Sequence, residues 1–253
     1  MQINLLPTAL IQFISVSMLL VSSVSQHALA HTVIQPPEVT EGKASENFVM
    51  TTHGCGEAKI IGTNVVFPDG IDSTIIVDGS PHNGPLSDFL ENWGNSISMY
   101  QDRSVFSEQG EKHDSNGNIV GFWSGGGRAL DLKKARFPFS SSGVLFNSTS
   151  CAKAVKFSVA IVDVCKITNI SGMIENDSAS FWTPAVGSKF DGAPGSHGYD
   201  TPANFTINRD IEGNPLPESC SGTGQLVLVR PSAAQLDRDM PIILNGAQVW
   251  PQP

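Results

Sequence analysis

Positive charge is scarce in this chain. The 253 residues include 15 Lys and Arg against 24 Asp and Glu, which gives a formal net charge of −9. Its basic residues form no cluster longer than the pair Lys133-Lys134. Proteins that hold nucleic acid or anionic lipid depend on clustered Lys and Arg. The composition therefore argues against polyanionic partners, and we expect no nucleic-acid partner.

Apolar residues at helical spacing are also nearly absent after residue 31. Short β-type runs appear instead, separated by Gly, Pro, Asn and Asp, and they predict an all-β antiparallel sandwich of the cupredoxin or immunoglobulin-like kind. Long loops are expected at residues 102–117 and 183–202, and short helices at 85–93 and 233–239. The predicted strands are residues 32–35, 48–52, 63–67, 73–77, 97–100, 119–123, 144–147, 155–164, 180–182, 204–208, 225–230 and 241–244.

The first thirty residues contain no Asp, Glu, Lys or Arg and include an apolar stretch over residues 11–24. They end in Ala28-Leu29-Ala30, a small-residue pattern read by signal peptidases, although a basic n-region is missing. Serines interrupt the apolar stretch, which is short of the roughly 20 apolar residues of a membrane anchor. We expect residues 1–30 to be a signal peptide, with export to the periplasm or cell surface and no membrane attachment after cleavage.

Cysteine is used sparingly and without a redox or zinc spacing. The four cysteines are Cys55, Cys151, Cys165 and Cys220, and none of them forms a Cys-x-x-Cys motif. An even number of cysteines in an exported chain favours structural disulfides. We expect two bridges, with three pairings open.

Common catalytic motifs are missing as well. Ser124 lies in Trp-Ser-Gly-Gly-Gly, which is not the Gly-x-Ser-x-Gly elbow of hydrolases. No Gly-Lys-Ser/Thr follows the glycines at residues 125–127, so they do not make a phosphate loop. We predict no catalytic residues and no enzymatic activity.

What the chain does offer is a histidine at the predicted mature N-terminus. After cleavage, His31 presents an α-amine with an ordinary pKa of roughly 8 and an imidazole near 6.5, so both can lose protons near neutral pH. Together they form a nitrogen chelate, which suits Cu(II) in a tetragonal arrangement. The chelate requires His31 to be the first residue, because an upstream peptide bond turns the amine into a non-basic amide.

Several pieces of sequence after this histidine occur in a consistent order. The chain resembles the YcnI-like copper-binding domain family from His31 to about Trp182. The pieces that carry the resemblance are His31-Thr-Val-Ile-Gln-Pro36, Gly42-Lys-Ala-Ser-Glu46-Asn-Phe48, Thr52-His-Gly-Cys55, Val65-Val-Phe-Pro-Asp-Gly70, Phe122-Trp-Ser-Gly-Gly126 and Phe157-Ser-Val-Ala-Ile-Val-Asp-Val-Cys165.

The resemblance implies a monohistidine brace, in which His31 is joined by a carboxylate and a tryptophan around one Cu(II) per chain. Glu46 matches the family's carboxylate-bearing stretch and could reach across a hairpin of the first two strands, with Glu57 as the alternative. Trp182 is the preferred tryptophan and Trp123 the second choice. If the family's acid instead lies on the strand ending at Phe67-Pro68, this chain has Thr63 or Asn64 there.

The resemblance also implies a copper-binding domain over residues 31–182, with residues 183–253 as an extension packed on or continuing the same sandwich. The expected function is copper buffering, trafficking or homeostasis, with a copper transporter or chaperone as partner. One alternative is a copper-dependent polysaccharide monooxygenase, which would need a second histidine from His53, His82, His113 or His197. The other is a metal-free structural or adhesion sandwich.

Overall fold

The computed structural model describes residues 32–51, 54–55, 58–130, 134–166, 178–183, 187–191, 203–220 and 222–251. The predicted signal peptide, His31, His53, Glu57 and His197 lie outside these residues. Cleavage before His31 therefore stays a prediction.

Most of the described chain is extended, as the short β-type runs predict. In the described residues the helices are α1 (Ala233–Asp239) and two 3-10 turns, Leu86–Asp88 and Glu218–Cys220. None of the helices in the described ranges is long and apolar enough to cross a membrane. The strands are β1 (Val33–Gln35), β2 (Glu38–Thr40), β3 (Ser45–Thr51), β4 (Gly62–Val66), β5 (Ser73–Val77), β6 (Ser80–His82), β7 (Ile97–Met99), β8 (Phe106–His113), β9 (Ile119–Gly127), β10 (Ala135–Ser141), β11 (Ala152–Val164), β12 (Ala179–Trp182), β13 (Ala203–Asn208), β14 (Gln225–Pro231), β15 (Ile242–Leu244) and β16 (Ala247–Trp250).

The strands form two main sheets, and the predicted β-sandwich is confirmed. The smaller sheet has the order β1-β3-β10-β7 and is antiparallel throughout. The larger sheet follows the order β6-β5-β14-β11-β4-β9-β8, with β12 and β13 also paired to β11, and β2 paired to β13. Two of its pairings, β11 with β14 and β13 with β2, are parallel, and the others are antiparallel.

The main core lies between the two sheets and is rich in phenylalanine. Phe67, Phe139 and Phe205 pack edge to face, with the Phe67 and Phe139 ring centroids 5.3 Å apart. Because side chains alternate along a strand, odd-numbered residues of β4 and β11 such as Val65 and Ile161 point into this core. This face is called the inner face of the larger sheet below.

A second core covers the outer face of the larger sheet. Even-numbered residues such as Val66 and Val162 pack there against Leu236 of α1 and Trp250 of β16. Asn64 fixes the layer in place, since its amide accepts from the backbone N–H of Ile243 at 2.9 Å and donates to the Ile243 carbonyl at 3.1 Å. The C-terminal residues therefore form a third layer, while β13 and β14 continue the larger sheet itself.

Both expected disulfides are present, and no described cysteine is free. Cys151 pairs with Cys220, and Cys55 pairs with Cys165. Cys151 directly precedes β11 and Cys165 directly follows it, so one bridge anchors each end of this strand.

Several local predictions were wrong. The polar segment 102–117, predicted as a loop, contains strand β8, and β10 was not predicted. The predicted strand at residues 144–147 is an isolated bridge between Leu90 and Phe146. The predicted helix at 85–93 is the 3-10 turn Leu86–Asp88, whereas the helix at 233–239 is confirmed as α1.

Candidate metal centre

A row of buried polar side chains crosses the inner face of the larger sheet near the C-terminal end of β11. The strand register aligns Ser180 of β12 with Asp163 of β11, Asp163 with Thr63 of β4, and Thr63 with Ser124 of β9. Directly opposed residues share one face of a sheet, with Cβ atoms about 4.5–5.5 Å apart. All four side chains are buried, and Asp163 is 2% exposed.

The start of the described chain reaches this row from the smaller sheet. Thr32 directly precedes β1, and its hydroxyl donates a hydrogen bond of 2.5 Å to Oδ2 of Asp163, across 131 residues of sequence. Residue 31 is joined to Thr32, so covalent geometry keeps its amino nitrogen within about 5 Å of the Thr32 Cα. The fold therefore brings the residue after His31 into contact with a buried carboxylate.

Trp182 lies beside the same carboxylate. It pairs with Ile161, two residues before Asp163 on the same face of β11, and such diagonal neighbours have Cα atoms about 7–8 Å apart. Its side chain is 2% exposed within the main core. Trp123 pairs with Asn64, whose side chain faces the outer layer, and is half-buried there. Of the two tryptophans, the preferred candidate Trp182 is the one on the same face of the sheet as Asp163.

The structure does not bring Glu46 to this place. In the β1–β3 hairpin Val33 pairs with Met50, and Glu46 lies four residues further along β3, about 13 Å away. Glu46 is exposed and pairs with Ser140 of β10. The expectation that the hairpin brings Glu46 to the chain start is therefore corrected, because the register places Glu46 towards the opposite end of the hairpin. The carboxylate found beside Thr32 is Asp163.

Sequence reasoning missed Asp163 although its signal was visible. It is the only ionisable group in the apolar strand from Phe157 to Val164. A charged group in a strand that is buried on both faces needs a polar or ionic partner, because its burial is otherwise costly. An acid inside such a strand thus marks a site more strongly than an acid on a half-exposed strand such as β3.

No family model matches this chain, and no curated protein matches it. Among solved structures, the chain is similar to an uncharacterized protein from Nocardia farcinica, whose crystal structure reveals an immunoglobulin-like fold. The two share 11% sequence identity, with a TM-score of 0.39, and the match covers 71% of this chain and 99% of that one. This similarity carries no information on function.

The disulfide Cys55–Cys165 closes one side of the polar row. The backbone N–H of Cys55 lies 3.0 Å from Sγ of Cys165, and Sγ of Cys55 lies 3.7 Å from the carbonyl oxygen of Asp163. The bridge thus holds the end of β11 where the carboxylate is carried. Because both sulfurs are engaged in a disulfide, oxygen and nitrogen are the donor atoms available around Asp163.

Other histidines in the described part of the chain lie on the outermost strands of the larger sheet. His82 of β6 contacts Asp88 at 2.9 Å and packs edge to face on Phe89, and His113 at the end of β8 lies 3.6 Å from Glu111. The described residues include no group of three or more His, Cys, Asp and Glu arranged to hold a metal. A metal at Asp163 would therefore need donors from outside these residues, and His31 is the nearest in sequence to Thr32.

Two charged side chains elsewhere, the buried Lys112 and the exposed Arg238, have structural partners. Lys112 of β8 donates to the carbonyl oxygens of Asp239 at 2.9 Å and Pro241 at 2.7 Å, which joins β8 to the end of α1. Burial lowers the pKa of Lys112 to about 7, against the opposing attraction of the Asp239 carboxylate. Hydrogen bonds from Arg238 to Asp239, and also to Asp69, hold the pKa of this guanidinium above its ordinary value.

Proposed function

We propose that this is an exported protein that binds one Cu(II) through the amine and imidazole of His31, the carboxylate of Asp163 and the side chain of Trp182. Its role would be copper buffering, trafficking or homeostasis. The observation that carries the proposal is the hydrogen bond between Thr32 and Asp163, which brings the residue after His31 to a buried carboxylate.

The donor set fits a cupric ion. Two nitrogens from His31 and one carboxylate oxygen are borderline and hard donors, which suit Cu(II) better than Cu(I). A buried carboxylate is stabilised by a positive partner, and a metal ion bound to residue 31 would supply that charge. An indole N–H can only donate, so Trp182 would present its ring face and exclude water rather than coordinate through nitrogen.

Two further features agree with an extracytoplasmic role in copper handling. Disulfides such as the two seen here persist in oxidising compartments outside the cytosol. A site that needs a free N-terminal amine also agrees with removal of a signal peptide during export. We therefore propose a copper transporter or chaperone as the partner and binding rather than catalysis as the function.

The decisive experiment compares mature protein that begins at His31 with a form that carries one additional glycine before it. The extension keeps the fold and the imidazole but converts the basic amine into an amide. We expect one Cu(II) per cleaved chain in a titration against a competing chelator, and at least about 100-fold weaker binding by the extended form. That loss corresponds to about 2.7 kcal/mol.

A His31→Ala variant with a free amine serves as the second arm, because it removes the imidazole alone. It should also bind weakly. Equal affinities of the cleaved and extended forms would show that the amine is not a ligand, and the proposed site would then be wrong.

A further inference from the structure

The hydroxyl of Thr63, in the middle of the polar row, is buried without a hydrogen-bond partner among the described residues. Thr63 is 0% exposed, and its Oγ1 has no hydrogen-bond partner among the described residues. It stands between Asp163 on one neighbouring strand and Ser124 on the other. A buried hydroxyl without a partner destabilises the folded state, whereas a valine of the same shape would not.

In the smaller sheet, by contrast, hydroxyl groups have hydrogen-bond partners within the fold. Ser45 and Ser141 lie 2.8 Å apart, and Ser45 donates to Oδ1 of Asn47 at 2.6 Å. Buried hydroxyl groups in this protein can thus be satisfied within the fold. Thr63 is an exception that lies directly opposite the carboxylate to which Thr32 is hydrogen-bonded.

We propose that Thr63 is a positioning residue for the copper site, and that its hydroxyl hydrogen-bonds a water molecule bound to the ion beside Asp163. This inference rests on the proposed function and adds an exchangeable ligand to it. A hydroxyl can both donate and accept, so it can hold a water in either orientation. Two nitrogens and one carboxylate oxygen leave room for such a ligand in the tetragonal arrangement that Cu(II) prefers.

The physical consequence is a contribution to metal affinity that Thr63 makes without touching the ion. Groups that orient metal ligands through hydrogen bonds typically change metal affinity by about 10- to 100-fold when they are removed. The same hydroxyl should lower the stability of the metal-free protein, because its hydrogen bond is then unmade. The hydroxyl thus raises copper affinity and lowers the stability of the metal-free protein, and these opposite effects distinguish its role from ordinary packing.

The test uses Thr63→Val, which keeps the shape and removes the hydroxyl, and Thr63→Ser, which keeps the hydroxyl. Thr183→Val is the matched control, since Thr183 is also buried and its hydroxyl also has no described partner. It directly follows the last residue of β12 and is not a member of the polar row. Each protein is titrated with Cu(II) against a chelator, melted with and without copper, and examined for copper-bound water by proton ENDOR in H2O and D2O.

We expect Thr63→Val to bind Cu(II) about 10- to 100-fold more weakly than the wild type. Its metal-free Tm should be equal or higher, and the exchangeable water protons should be lost. Thr63→Ser and Thr183→Val should bind copper as the wild type does.

Two outcomes would overturn the inference while leaving the copper site intact. One is wild-type affinity and unchanged water protons in Thr63→Val. The other is a shift in Tm of the same size with and without copper, which would mean that Thr63 holds only a structural water. If the wild type itself binds no Cu(II), the proposed function is wrong and this inference falls with it.

Discussion

Asp163→Asn is the sharpest test of which carboxylate serves the proposed site. The substitution removes one negative charge, and the remaining amide oxygen can still accept the hydrogen bond from Thr32. The shape of the buried side chain is nearly unchanged. Effects on copper binding can therefore be separated from effects on folding.

The expected sizes follow from the contacts of Asp163. A hydrogen bond to a charged group contributes about 1.5–3 kcal/mol and a neutral one about 0.5–1.5, so the metal-free protein should lose about 1 kcal/mol of stability. At the metal, the variant loses a charged ligand in a site where Asp163 is 2% exposed. We expect at least about 100-fold weaker Cu(II) binding, or about 2.7 kcal/mol.

The assay is a Cu(II) titration against a chelator, combined with urea unfolding of the metal-free protein. Glu46→Gln is the matched control, because it also neutralises a carboxylate but lies exposed on β3, away from Thr32. The control should bind copper as the wild type does. Unchanged binding by Asp163→Asn together with weakened binding by Glu46→Gln would refute the reasoning and return the carboxylate ligand to β3.

Two other predictions concern stability. The pKa of Lys112 is 10.5 in the unfolded chain and about 7 in the folded protein. Between these two pH values the unfolded state therefore binds more protons than the folded state. The free energy of unfolding should therefore rise with pH across this window, by at most about 5 kcal/mol, and urea unfolding of Lys112→Met should lack this rise. Replacing Cys55 and Cys165 by serine should weaken both stability and Cu(II) affinity. Replacing Cys151 and Cys220 by serine removes a comparable chain-entropy contribution of about 4–5 kcal/mol and should weaken stability alone. Equal Cu(II) affinities of the two double variants, together with unequal decreases in Tm, would contradict this prediction.

The sandwich could be predicted from sequence because buried strands leave a local pattern. Strands β5 and β11 appear as runs of β-branched and apolar residues. The edge strand β8 does not, since charged and polar residues dominate it and few of its side chains are buried. In β10 the buried positions alternate correctly, but Pro138 and Arg136 hide the strand from a search for apolar runs.

The candidate site was only half predictable for a different reason. His31 and Trp182 carry signals of their own, namely the cleavage pattern and the order of motifs around them. The carboxylate depends on which strands lie side by side, and the contact between Thr32 and Asp163 spans 131 residues. Glu46 was favoured because a hairpin brings β1 and β3 together, but only the register decides which end of β3 faces the chain start.

The third layer over the outer face limits where the chain can be shortened. A protein ended at Trp182 would lose β13 and β14, which pair with β11 in the middle of the larger sheet. It would also expose Val162 and Phe181, which are fully buried under the C-terminal layer. Open strand edges and a bare apolar face are the features that drive aggregation. Expression of residues 31–182 alone should therefore give insoluble material, and we expect the earlier residues to need residues 183–253 in order to fold.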